Sequence, residues 1–270
     1  MAVSIDVRSP APCDSALADV LSWLHHVDAT FSTYRDDSDV SRFGRGELGV
    51  ADLSRDVEDV LVRCIELTEQ TAGAFDAFAV PAPNGTMLDP SGFVKGWSIE
   101  RAAVILETAG AANFCINAGG DIAVRGESMP GTSWKVGIRH PAQADKLALV
   151  LEVRGSLGVA TSATYERGAH IVDPRTGTPT TEVASATVIG PDLGTADAFA
   201  TAAFVLGLDA IEWIETQPGY HAYLITHDGR TCWSADFPHP AKAPPRFSNR
   251  DDHRSLAQSR SPQSSRSPGS

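Results

Sequence analysis

The chain has 270 residues, 42% of them hydrophobic, with a net charge of -12 and four cysteines. That length holds one large domain or two modest ones around a substantial core, and the acidic balance speaks against generic nucleic-acid binding. The charge is uneven: from Pro238 onward six basic residues stand against two acidic ones, so this segment carries +4 and the rest -16. An acidic body that takes a phosphate-rich ligand needs a metal ion or helix N-termini to offset repulsion. The cysteines (Cys13, Cys64, Cys115, Cys232) are far apart with no Cys-x-x-Cys, which argues against zinc and fits a reducing compartment. No apolar run approaches the roughly 20 residues of a bilayer span, and neither a signal peptide nor a lipobox is visible. The expectation is no transmembrane segment and a cytoplasmic chain as given, or an exported or membrane-associated one if the true start lies upstream.

Val3 to Val7 reads as a strand. Asp14 or Ser15 can cap a helix whose apolar face is Leu17, Val20, Leu21, Leu24, Val27 and Phe31, with His25 and His26 as edge histidines. Ser38 can cap a short helix, and Tyr34 before it suits a stacking platform or a rim anchor. Ser54 starts a helix with Val57, Val60, Leu61, Cys64 and Ile65 inward, ended by Gly73. Gly73-Ala-Phe-Asp76 is a small-residue exit with a carboxylate, equally an ordinary helix-to-strand turn. A helix is predicted from Trp97 to Thr108. The glycines Gly92 and Gly96 before it allow backbone approach, and Lys95 there suits an anionic ligand. Asn113–Ile116 is a strand, followed by Asn117-Ala-Gly-Gly-Asp121. That loop either turns the amides of Gly119 and Gly120 toward an anion or makes a simple hairpin with Asn117 and Asp121 as turn formers.

Strands follow at 122–125, 134–139 and 147–153. Ala160-Thr-Ser-Ala-Thr-Tyr165 is small and polar. His170-Ile-Val-Asp-Pro-Arg-Thr-Gly177 begins as a strand and ends in a turn; His170 suits acid–base chemistry or a phosphate, and Asp173 with Arg175 can simply lock the turn. Val188 and Ile189 end a buried strand, and a helix runs from Thr195 to Leu206 with Gly207 as an αL terminus. Asp197 and Thr201 lie one turn apart on one face among Ala196, Ala198, Ala200, Ala202 and Ala203. A carboxylate and a hydroxyl so stacked suit a hard cation such as Mg2+. The alternative is an Asp complementing the helix dipole and a Thr bonded to its own backbone. A short helix at 209–216 and a hairpin around Asp228-Gly229 complete the body. The Ser-, Arg- and Pro-rich end reads as disordered, giving a folded unit over 1–237 and a tail over 238–270.

Singly these blocks are weak; their order is specific. Phe-Ser-Thr-Tyr-Arg, Gly-Ala-Phe-Asp, Asp-Pro-Ser-Gly-Phe-Val-Lys-Gly-Trp, Asn-Ala-Gly-Gly-Asp, Ala-Thr-Ser, His-Ile-Val-Asp-Pro-Arg-Thr-Gly and Ala-Asp-Ala-Phe-Ala-Thr-Ala follow one another over about Ser4 to Ser234. This resembles the FAD:protein FMN transferase (ApbE) family. The resemblance implies an α+β fold, with mixed or antiparallel sheets and packed helices around a cleft for FAD and Mg2+. It implies transfer of FMN from FAD to a threonine of an acceptor flavoprotein, in a Ser/Thr-Gly-Ala-Thr stretch, with release of AMP. It also implies roles: Asp197, Thr201 and the Gly92 carbonyl as metal ligands; Tyr34, Ala74, Phe75, Asp76, Asp89, Lys95, Asn117, Gly119, Gly120, Asp121, His170 and Ile171 at the flavin nucleotide. His170, then Asp173, are the candidate bases. The alternatives are an FAD diphosphatase using the same site and a flavin-binding protein without turnover. The family's opening Met-Gly-Thr is Met1-Ala-Val here, which leaves a Met1 contact open, and Ala163 replaces a glycine. Thr161-Ser-Ala-Thr164 lacks the acceptor glycine, so self-flavinylation is not expected.

Overall fold

A computed structural model describes residues 2–9, 13–164 and 171–238. The centre is a seven-stranded antiparallel sheet made of β1 (Val3–Val7), β2 (Phe114–Ala118), β3 (Asp121–Arg125), β6 (Leu157–Ala163), β9 (Val183–Gly190), β10 (His221–Thr226) and β11 (Thr231–Trp233), in that spatial order. β4 (Trp134–Arg139) and β5 (Leu147–Val153) pair as a separate two-stranded sheet, and β7 (Val172–Asp173) with β8 (Thr178–Pro179) as another. Strand pleating divides the core in two. One face of the large sheet meets the helices through Ile116, Ala123, Ala160, Ala186 and Val188. The other meets the β4–β5 sheet through Ile122, Val124, Val159, Ile189, Tyr223 and Trp233, packed on Trp134, Val136, Ile138, Leu149 and Leu151. The expected α+β architecture is present.

The helical layer comprises α1 (Asp14–Phe31), α2 (Asp39–Gly44), α3 (Arg55–Gln70), α4 (Ser91–Thr108), α5 (Leu193–Leu206) and α6 (Ala210–Ile214). In α3 the buried stripe is Val57, Val60, Leu61, Cys64 and Leu67, whereas Ile65, expected inside, is half exposed; the i, i+4, i+7 spacing of Val60, Cys64 and Leu67 sets the inward face. α5 lies between the sheet and α4 and is buried nearly all round. With its continuation it gives a 22-residue stretch, Leu193–Ile214, apolar enough to cross a bilayer by length and composition, which corrects the expectation that no such run exists. Most of that stretch is buried inside the protein, as a central core helix must be.

Two helix starts also differ from expectation. α4 begins at Ser91, not Trp97, so Gly92, Lys95 and Gly96 are helical. α5 begins at Leu193, and Asp192 caps it by accepting from the Thr195 N–H at 2.7 Å. Glycines are tolerated inside these helices because they let the two helices touch, the backbone approach expected at Gly96. A Cβ on Gly96 would collide with the Leu193 carbonyl oxygen and sit 2.8 Å from Asp197 Cβ. One on Gly194 would sit 3.1 Å from the Trp97 backbone. Gly207 ends α5 with φ 63° but ψ -136°, a positive-φ exit outside the αL region expected for it.

Candidate active-site cleft

The α4–α5 crossing forms the floor of a cleft of about 1060 Å³, at the upper limit of the ~300–1,000 Å³ typical of small-molecule sites. Most predicted residues meet there. Tyr34 stands on the wall beyond α1, two-thirds exposed, and Ala74, Phe75 and Asp76 come from the turn after α3. Asp89, Gly92 and Lys95 come from the start of α4, Ile171 from the segment before β7, and Asp197 and Thr201 from α5. Asp76 and Asp89 also shape their loops, accepting from the backbone N–H of Phe78 at 2.8 Å and of Ser91 at 3.0 Å.

Neither feature of the structural alternative is present at Asp197 and Thr201. The dipole of α5 is met by Asp192 at the cap, while Asp197 lies in the second turn. Asp197 Oδ2 accepts from the Gly96 N–H at 3.0 Å, across the helix crossing. Thr201 does not bond its own backbone; its hydroxyl meets Ser162 Oγ of β6 at 3.2 Å. Gly92 lies against the same hydroxyl: a Cβ there would be 3.2 Å from Thr201 Oγ1 and 3.3 Å from the Phe75 ring. The Gly96 N–H, which in a helix points at the Gly92 carbonyl, is engaged by Asp197, and a carbonyl oxygen carries two lone pairs. Asp197, Thr201 and Gly92 thus line the same part of the cleft, and what they offer is a carboxylate, a hydroxyl and a backbone carbonyl. The set is all oxygen and suits a hard cation.

Beneath them lies a charge imbalance. Asp121 is wholly buried and Asp197 is 2% exposed. The Lys95 ammonium serves both, 3.1 Å from Asp121 Oδ2 and 3.9 Å from Asp197 Oδ1. Asp121 Oδ1 accepts from the Thr161 N–H at 3.4 Å, while Oδ2 lacks a donor in hydrogen-bond alignment. Burial, and then repulsion from Asp197, push the Asp121 carboxyl well above its ordinary value; Lys95 opposes this. Asp121 thus does not reach the cleft as a ligand contact. It anchors Lys95 from below.

Other expectations fall elsewhere. Gly119 and Gly120, both at positive φ, make a tight β2–β3 hairpin, with the Gly120 N–H donating to Asn117 Oδ1 at 3.1 Å. Asn117, Gly119 and Gly120 are exposed and off the cleft, so the turn-forming alternative holds. Asp173 locks its turn: Arg175 grips the carboxylate at 2.8 and 2.9 Å and holds it below the usual carboxylate range. Its neighbours Ile171, Val172 and Pro174 line the cleft. His170 and the tail from 239 lie outside the described residues. Sequence reasoning missed the α1 wall, where Leu21, Leu24, His25 and Asp28 face the cleft, and the Pro81–Pro83 loop opposite. By sequence Leu21 and Leu24 belong to the apolar face of α1, and the outward arc of that stripe is the signal that points to the cleft.

The model of the ApbE family matches residues 1–84 and 80–224. The chain belongs to the ApbE family. It is 27% identical over 261 residues to the FAD:protein FMN transferase of Haemophilus influenzae, covering 75% of each chain. It is 28% identical over 297 residues to the FAD:protein FMN transferase of Treponema pallidum, covering 84% of this chain and 82% of that one. Among solved structures, the ApbE protein of Thermotoga maritima superposes with a TM-score of 0.77 at 24% identity, over 87% of this chain and 94% of that one. This last likeness establishes the fold of the ApbE chain described here.

Proposed function

We propose that this ApbE protein is a Mg2+-dependent transferase that moves FMN from FAD to a threonine hydroxyl of an acceptor protein, in a Ser/Thr-Gly-Ala-Thr stretch, and releases AMP. The observation that carries the reading is the cleft floor. The carboxyl groups of Asp197 and Asp121 are buried beside the Lys95 ammonium, and charge on both at once is disfavoured there, as the raised Asp121 carboxyl shows. A divalent cation resolves that conflict, and the residues that would hold it are Asp197 by its carboxylate, Thr201 by its hydroxyl and Gly92 by its carbonyl. When bound, Mg2+ supplies positive charge against the negative charge that grows on the diphosphate oxygens.

The chain's own residues supply the rest. Lys95, fixed by Asp121, presents its ammonium at the floor, one-fifth exposed. The Tyr34 ring and the Phe75 wall offer apolar surface to the flavin. The acceptor oxygen forms its bond to the FMN-side phosphorus as the bond to the AMP phosphate breaks, and the hydroxyl proton passes to a base. Asp173 is poorly suited to take it, because Arg175 lowers its basicity. His170, adjacent in sequence to the cleft residue Ile171, is the base we assign.

The test is to incubate the protein with FAD, Mg2+ and an acceptor domain, then look for covalent flavin fluorescence on a denaturing gel. Labelled acceptor supports the transferase. Free FMN and AMP without label would make it a diphosphatase, and intact bound FAD a carrier.

A further inference from the structure

Resting on the metal reading above, we infer that Ser162 is a positioning residue that sets the orientation of the Thr201 hydroxyl. Thr201 has a single O–H. Mid-helix threonines commonly give it to the carbonyl four residues back, which here is that of Asp197. Instead the Thr201 oxygen is 3.2 Å from Ser162 Oγ. Ser162 is 8% exposed, sits on β6 on the face toward the helices, and lines the cleft floor. A cation beside Thr201 repels its hydroxyl proton, so Thr201 donates and Ser162 accepts. The lone pairs of Thr201 then turn toward Asp197 and Gly92. Without Ser162 the proton returns to the Asp197 carbonyl, and the lone pairs rotate off the cation.

The experiment is a Mn2+ titration followed by electron paramagnetic resonance, with and without saturating FAD, on wild type, Ser162→Ala, Ser162→Cys, Ser162→Thr and Asp197→Ala. Partners that orient metal ligands are worth about 10–100-fold in affinity; for a hydroxyl on a neutral ligand we expect about tenfold weaker Mn2+ binding in Ser162→Ala, and retention within about twofold in Ser162→Thr. Ser162→Cys keeps the volume, removes the strong acceptor, and should follow Ser162→Ala even if the alanine variant folds poorly. In FMN transfer the loss should fall on the KM for Mg2+, with kcat at saturating Mg2+ near wild type; a merely structural role would lower kcat and the melting midpoint together. Wild type that binds Mn2+, with Asp197→Ala abolishing it and both Ser162→Ala and Ser162→Cys binding as tightly as wild type, would overturn this inference alone. Wild type that binds no Mn2+ in either condition would overturn the metal reading and this inference with it.

Discussion

Replacing Gly96 with alanine should destabilise the protein although alanine is the better helix former. Gly96 lies inside α4, where glycine costs about 1 kcal/mol relative to alanine, so local propensity alone forecasts a gain. The contact across the crossing opposes it. The new methyl would collide with the Leu193 carbonyl oxygen and come within 2.8 Å of Asp197 Cβ. Overpacking costs about 1–3 kcal/mol, and because the obstacle is the backbone of α5, which cannot swing aside like a side chain, the upper figure applies. The net loss is about 2 kcal/mol, or about 4–8 °C in the melting midpoint for a domain of this size. Thermal unfolding by circular dichroism measures it. The same shift pulls Asp197 away from the Gly96 N–H, so flavin transfer should fall as well. A raised midpoint would show that α4 and α5 do not approach this closely, and the floor of the cleft would have to be rebuilt.

Lys95→Ala should cost about 3–5 kcal/mol in urea unfolding because it leaves two buried carboxylates without their ammonium, while Asp121→Asn, which relieves the repulsion, should cost much less; the reverse order would contradict the charge imbalance. Arg175 holds the Asp173 carboxyl below its ordinary value of 3.8, so the pair adds stability above that pH and loses it as pH falls through the lower folded value. Asp173→Asn should therefore remove part of the acid-side slope below about pH 4, by no more than about 1 kcal/mol for so exposed a guanidinium, and an unchanged slope would refute the pairing. Burial pushes the Cys64 thiol to about 12 and those of Cys115 and Cys232 to about 11. A thiol-disulfide reagent at pH 8 should find these thiols silent in native protein and all four cysteines reactive after denaturation, and fast native labelling of Cys64 would disprove its burial.

Much of the site was legible because it is local. Asp197 and Thr201 share a helix face by their spacing, and Phe75, Asp76, Asp89 and Lys95 sit in short blocks whose order carries the family. What escaped is set by contacts distant in the chain. Ser91-Gly-Phe-Val-Lys-Gly stands before the predicted helix on local propensity, yet it belongs to α4, where its glycines allow the close approach of α5, about a hundred residues later. Asp121 looked like a ligand contact or a turn former; its burial beneath Lys95 depends on where β3 meets α4. Ser162 was visible in the Ala-Thr-Ser block, but its partner Thr201 is 39 residues away, and no periodicity links them. In α1, Leu21 and Leu24 belong to a stripe too wide for the core to cover, and a single chain's pattern does not say that the surplus opens onto a cleft.

The central claim is that a divalent ion is held where α4 crosses α5, over the diphosphate of a bound flavin dinucleotide. Anomalous diffraction from crystals grown with FAD and Mn2+ tests it most directly. The account predicts a single strong peak within coordination distance of the Asp197 carboxylate, the Thr201 hydroxyl and the Gly92 carbonyl, with the flavin between Tyr34 and Phe75. A bound flavin with no peak at that crossing, or a peak coordinated by other residues, would contradict it.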